Sequence, residues 1–395
     1  MKRREFFAAT GAYSLVQIVS WGFFAVNLVF ASNVLYDFGY TDSQISIFLG
    51  ICTGISFPLQ LALAELSAGR KTCSMWKMLL GLSLVMLVSN GLTLVPGLPG
   101  WAAVTAYGGA CLTLQMLPSF ANAMGMDAIS RGSPTNYSIA RGMGSLGYSV
   151  LAWLTGVLVR RGGTDMVPLI GSLCSLLMGA GVIFYHRTGE QNLIPVEKPR
   201  ETQRKNGSFL KKYPKFALFL GAGILIQYAH NLPSNFMYQI MLTKNGGAAE
   251  QGLATAICAL VELPVMFFFP LLMRRLRCDR WVRFSALFVT VKAAGILLAG
   301  SPQGVYLAQA TQSLGYGLFV ISSVNYAELV VGRGESVRAQ TYLGATATVG
   351  CLLAGSTGGF LCQHLGVQAM VLISLVLSLA GGLLILFTAE KTKRL

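Results

Sequence analysis

Residues 257–292 read ICALVELPVMFFFPLLMRRLRCDRWVRFSALFVTVK, two apolar runs separated by a block of arginines. Glu262 stands within the first run and Lys292 within the second. Apolar runs of this length are those of membrane-spanning helices, and clustered arginines between them mark a turn at the cytoplasmic face. With Arg274 to Arg283 at that face, a rise of about 1.5 Å per residue carries both charges to a depth of about 15 Å. That is the middle of an apolar layer roughly 30 Å thick, where charge is most costly.

Working outward, the whole chain has the same character. Of its 395 residues 54% are hydrophobic and only 11% charged, with mean hydropathy +0.60. Soluble domains carry about 25% charged residues, so this composition excludes a water-soluble globule. The net charge of +15 falls in short clusters between apolar runs. Loops beside an anionic lipid leaflet look like this, whereas nucleic-acid binding needs a basic face on a folded soluble module. The eight cysteines form no C-x-x-C pair and mostly lie inside apolar runs, so they read as buried small hydrophobes, with no disulfide framework and no metal site. The basic start, Met1 to Glu5, precedes an apolar run of about 25 residues, too long for a signal-peptide core and suited to a first span.

Segmentation on runs near 20 residues predicts twelve spans, at 8–32, 44–66, 75–96, 100–124, 138–160, 164–186, 214–240, 248–273, 281–300, 303–330, 337–361 and 366–388. The expected organisation is an all-α membrane protein of two pseudo-symmetric six-helix bundles, 1–186 and 214–395, joined by a charged cytoplasmic linker at 187–213. Alternate loops, the linker and both tails hold 26 of the 30 lysines and arginines, which places both termini in the cytoplasm of a cell-membrane protein. The halves echo each other: Pro58 to Lys71 and Pro264 to Arg277 are both proline-bearing span ends running into a basic turn. Glycines 142, 144, 147 and 156 in the fifth span and 344, 350, 355, 358 and 359 in the eleventh make small faces suited to close helix packing.

The string from Arg141 to Tyr148, RGMGSLGY, resembles the Arg-x-x-Gly-x-x-Gly-aromatic pattern in the fifth helix of lactose permease and its relatives, the oligosaccharide:proton symporter group of the major facilitator superfamily. The stretch VELPVMFFFPLL is similar to that group's eighth helix, and Lys292 occupies the place of its ninth-helix arginine. The second cytoplasmic loop resembles the superfamily's Gly-x-x-x-Asp-x-x-Gly-Arg-Lys signature, with Glu65 in the acidic position followed by Gly69, Arg70 and Lys71; the resemblance implies a conformational charge contact there. It further implies Arg141, Tyr148 and Glu262 as sugar contacts, with Ser145 beside Tyr148, and Lys292 as Glu262's partner in proton coupling. The sequence departs from the group at the tenth helix, where Gln312 and Gly315 replace a histidine and an acid, and at the fourth, where the acid partner of the arginine has no clear counterpart.

The polar residues inside spans complete the candidate site. The seventh span carries Gln227, His230, Asn231, Asn235 and Tyr238 on one helical face, with Pro233 expected to bend it. The first offers Gln17, Ser20, Trp21 and Asn27, and the later spans add Gln115, Asn122, Gln309, Gln312, Tyr316, Gln340 and Tyr342. Amides, phenols and one or two charges suit a polyhydroxylated, mostly uncharged solute. The expected substrate contacts are Trp21, Arg141, Ser145, Tyr148, Gln227, Asn231, Asn235, Glu262 and Gln312, and the expected proton-coupling group is Glu262, Lys292 and His230. Approach or withdrawal of Lys292 would change how strongly Glu262 holds a proton, a workable coupling device. The expected function is proton-coupled uptake of a sugar or similar polar solute by a monomer using alternating access, without cofactor or metal. A nucleoside or aromatic-acid permease, or a drug or metabolite exporter, is the alternative within transport. No H-E-x-x-H, no acid pair with a nucleophile and no phosphate-binding glycine loop is present, so an enzyme is not expected.

Overall fold

The computed structural model describes residues 2–69, 74–189, 209–331 and 335–392, and these contain helices and no strand. Twelve rods follow in order. In the first half they are α1 (Lys2–Phe23, a π-helical turn Phe24–Leu28, then Ala31–Asp37), α2 (Asp42–Gly69), α3 (Met75–Thr93), α4 (Gly100–Leu114 and Leu117–Ser130), α5 (Tyr137–Gly162) and α6 (Met166–Gly189). In the second they are α7 (Pro214–Asn235 and Met237–Leu242), α8 (Ala248–Arg275), α9 (Cys278–Leu298), α10 (Pro302–Ala310, a 3-10 turn Thr311–Ser313, then Tyr316–Val330), α11 (Ser336–Leu365) and α12 (Val367–Thr388). Nine helices among the described residues are long and apolar enough to cross a bilayer; the fourth, seventh and tenth rods fall outside that number because breaks or polar residues interrupt them.

The breaks have local causes. Pro118 at the start of the second segment of α4 has no N–H to continue the first, and Pro233 removes a ladder donor one turn before α7 breaks at Phe236. Gly315 leaves helical geometry at φ −88°, ψ −103° and separates the 3-10 turn of α10 from Tyr316. In α1 the extra residue of the π-turn coincides with Asn27, whose carbonyl accepts a bond from the Tyr107 hydroxyl. The broken rods are therefore the first and fourth of each half, a regularity hydropathy does not show.

The chain resolves into two compact units, 1–40 with 51–201 and 41–50 with 202–395. In the first, α1 packs on α5 and α6, and α3 packs on α6 and α4. In the second, α7 packs on α11 and α12, and α9 packs on α12 and α10, the same pattern shifted by six rods. Phe216, Phe219, Phe269, Val282, Phe319, Tyr326 and Ile385 belong to the core of the second unit. Leu84, Val88, Leu173, Leu176, Leu372, Val376 and Phe387 are exposed along the rods, an apolar exterior that only a lipid solvent tolerates at this scale.

Part of the expected linker, 190–208, lies outside the described residues. Its end is anchored: a short helix, Phe209–Lys212, stacks the Phe209 ring on Tyr342 of α11 at 5.2 Å. Lys212 Nζ and the Tyr213 hydroxyl both donate to Glu335 Oε2 at 2.7 Å. These two bonds hold the Glu335 carboxyl below the usual carboxylate range. A carboxyl so depressed contributes stability that is complete above its unfolded value, about 4.3, and disappears as pH falls through the lower folded value. The 209–213 segment is therefore expected to stay docked at neutral pH and to loosen below about pH 4. Glu335→Gln should loosen it at neutral pH, read as faster tryptic cleavage at Lys211 and Lys212.

Candidate functional site

In the second unit the two charges of the opening stretch come together through α10. Glycines permit the approach: a Cβ at Gly317 would lie 3.0 Å from Glu262 Cγ, and one at Gly315 would lie 3.2 Å from Val289 Cα. Gln312, on the 3-10 turn, donates from Nε2 to Glu262 Oε1 at 2.6 Å and accepts at Oε1 from Lys292 Nζ at 2.7 Å. Lys292 Nζ also lies 3.7 Å from Cys258 Sγ, one turn before Glu262 on α8. Lys292 is 4% exposed and Gln312 1%. An ammonium withdrawn from solvent to this degree is tolerated only with its donors occupied, and an amide oxygen supplies one acceptor here.

Beyond Gly315 the chain continues into Tyr316, whose hydroxyl donates to Gln227 Oε1 on α7 at 2.8 Å. The His230 ring lies flat on the Tyr316 ring, centroids 3.6 Å apart and planes 8° from parallel. His230 Nδ1 is buried without a hydrogen-bond partner. Asn231 turns back on its own helix, donating to the Gln227 carbonyl at 2.8 Å, and half-buried Asn235 closes the first segment of α7. Among the residues picked from sequence, the structure thus gathers Glu262, Lys292, Gln312, Gln227 and His230 into one network. Asn231 instead bonds backbone.

A second cluster lies in the first unit. The small face of α5 lets it close on α1, where a Cβ at Gly144 would fall 2.8 Å from the Trp21 ring and one at Gly147 2.6 Å from Ile18. The Arg141 guanidinium then sits 4.2 Å from the centroid of the Trp21 ring, and its Nη1 donates to Ser145 Oγ at 3.2 Å. Tyr148 follows at i+7, on the same face of α5. Behind them Gln17 Nε2 donates to the Tyr13 hydroxyl at 2.7 Å and to Asn122 Oδ1 at 2.9 Å. The buried Trp21 Nε1 has no hydrogen-bond partner. Arg70 and Lys71 of the signature loop, and the side chains of Glu65 and Gly69, lie outside the described residues.

An orphaned indole N–H has a donor to offer, and a solute contact at Trp21 makes a testable expectation. Trp21→Phe keeps the ring under Arg141 and deletes that donor. It is expected to leave thermal stability unchanged or raised and to weaken solute affinity about fivefold, one neutral hydrogen bond, in concentration-dependent uptake.

Sequence reasoning missed Cys258 as a second neighbour of Lys292, Tyr13 as the support of Gln17, and the bridging use of Gln312. The available signal was spacing: Cys258 and Glu262 are four apart on α8, and Gln312 and Tyr316 are four apart across the break in α10.

The long apolar helices and their apolar exterior define a polytopic membrane protein. Residues 219–395 match the model of the Major Facilitator Superfamily. The chain is 27% identical over 254 residues to a protein of Deinococcus radiodurans described as a putative sugar efflux transporter, covering 61% of this chain and 63% of that one. It is 25% identical over 262 residues to the uncharacterized transporter YwbF of Bacillus subtilis, covering 65% and 64%. Each match spans less than two thirds of the relative. Among solved structures, a mutant of the nucleoside transporter NupG superposes with a TM-score of 0.76 at 14% identity, covering 97% of this chain and all of that one, a likeness of fold. Residues 219–395 thus resemble the Major Facilitator Superfamily, and the chain shares the fold of the solved structure it superposes on.

Proposed function

We propose that this protein is a transporter that couples protons to the movement of a sugar or another polyhydroxylated, largely uncharged solute across the cell membrane by alternating access, with both termini in the cytoplasm and bundles at 1–186 and 214–395. The observation that carries the reading is the Glu262–Gln312–Lys292 chain, an acid and a base within apolar spans that meet through one amide. Intramembrane ionisable groups are costly, and proton relays are one of the uses for which they are retained. The Trp21–Arg141–Ser145 cluster supplies what a sugar needs, a ring face, a fork of donors and a hydroxyl. In this reading Tyr148, Gln227, Asn231 and Asn235 add solute contacts, His230 belongs to the coupling group, and the Glu65 to Lys71 loop controls the cytoplasmic side.

Uptake follows if solute and proton move together down an inward proton gradient. Export is a second reading, favoured by the description of the Deinococcus relative as a sugar efflux protein. A nucleoside, a sugar joined to a planar base, satisfies the same polar groups. Purified protein in liposomes is to be tested with labelled sugars, nucleosides and aromatic acids under pH gradients of either polarity. Accumulation of a sugar above equilibrium with acid outside supports symport, and accumulation with acid inside supports antiport. Sugar flux that ignores the gradient overturns the coupling, and transport confined to aromatic acids overturns the solute class.

A further inference from the structure

The bridging amide of Gln312 is not a neutral spacer. Its oxygen can only accept and its nitrogen can only donate, an ammonium can only donate, and an ionised carboxylate can only accept. With Lys292 and Glu262 both charged, one orientation of the amide satisfies both, with bonds of 2.7 and 2.6 Å. Turning it over would set NH2 against NH3+ and C=O against COO−. A protonated Glu262 removes half of that constraint, because a carboxylic acid both donates and accepts.

The amide also sits at a mechanically special place. Gln312 lies in the Thr311–Ser313 turn, between two segments of α10 that do not share one helical ladder. On the far side of Gly315, Tyr316 ties the next segment to Gln227 of α7. Among the described residues, the ionisable groups around the joint are Glu262 and Cys258 from α8, Lys292 from α9, His230 from α7, Cys351 from α11 and Tyr316 of α10 itself. At 1% exposure and with both amide ends engaged, Gln312 is better placed to hold these groups than to greet a solute.

We propose that Gln312 is a positioning residue that ties the charge states of Glu262 and Lys292 together at the break in α10, so that a proton arriving on α8 is felt at once by α9 and by the joint. The functional part of this rests on the reading of Glu262 as the proton site. The structural part does not, and is tested separately by a double-mutant cycle.

Thermal unfolding midpoints are measured in detergent at neutral pH for Glu262→Gln, Lys292→Met and their combination, first with Gln312 in place and then in a Gln312→Met background. With the amide present, the double variant should unfold well above the midpoint expected from adding the two single losses. Without it, that non-additivity should fall by at least about half. Equal non-additivity in both backgrounds overturns the proposal, since the charges would then communicate without the amide. Gln312→Asn, with an amide one methylene too short to span both partners, gives the same comparison if Gln312→Met does not assemble. Non-additivity that depends on Gln312, combined with sugar flux indifferent to pH gradients, sustains the positioning role and removes the proton coupling. Gradient-driven accumulation together with an unaffected cycle removes the positioning role and sustains the coupling.

Discussion

Glu262→Gln is expected to abolish gradient-driven accumulation while leaving solute exchange across the membrane. The glutamine side chain matches glutamate in size and still offers an oxygen to Gln312 Nε2, so the network of α8, α9 and α10 keeps its shape. It cannot take or give a proton, and internal and external solute should therefore equalise whatever the pH gradient. The substitution also leaves Lys292 charged, 4% exposed and without its counter-charge. An ammonium this withdrawn from solvent is less well tolerated once the carboxylate beyond Gln312 is neutral, so the thermal midpoint should drop as well. Adding Lys292→Met should restore much of the stability and none of the accumulation. Uptake and counterflow in liposomes, beside thermal unfolding, separate the two effects; retained gradient-driven accumulation in Glu262→Gln would refute the assignment of the proton site.

Arg141→Lys should raise the solute concentration for half-maximal flux roughly 10- to 100-fold, the order of a lost charged hydrogen bond, and should lower the thermal midpoint as well. The guanidinium makes two contacts that an ammonium does not reproduce together, its carbon over the Trp21 ring 4.2 Å from the centroid and a bond to Ser145 at 3.2 Å. Stacking of a cation on an indole is worth about 0.5–2 kcal/mol and a charged hydrogen bond about 1.5–3 kcal/mol, and the ring stays packed against Gly144 in either case. Because the planar fork is what presents paired donors to hydroxyls, retaining the charge alone should not rescue affinity. The check is flux against concentration for whichever sugar or nucleoside the native protein carries; an unchanged half-saturation would remove Arg141 from the solute contacts.

Much of the architecture was legible before the structure. The repeat of apolar runs marked each rod within a few residues, because a helix that spans lipid must satisfy its own backbone and so must be long, apolar and uninterrupted by charge. Glu262, Lys292, Arg141 and His230 stood out for the complementary reason, that such residues are rare there. The breaks in α1, α4, α7 and α10 were less legible. A window of about 19 residues averages over a π-turn or a Gly315, and Pro233 announced a bend without saying that the helix stops at Phe236.

Sequence by itself determined that the chain lives in a bilayer, that it has twelve rods in two echoing halves, and that an acid and a base lie at similar depth on neighbouring rods. Those properties follow from composition and linear spacing, through transfer free energy and a fixed rise per residue. Only the tertiary structure decided what each polar group touches: that Glu262 and Lys292 meet across Gln312, that Asn231 turns to its own backbone, and that Trp21 lies under Arg141 with its N–H unanswered. Hydrogen bonds act within about 3 Å and depend on direction, and which groups come that close is set by the glycines at 144, 147, 315 and 317 that let separate helices approach.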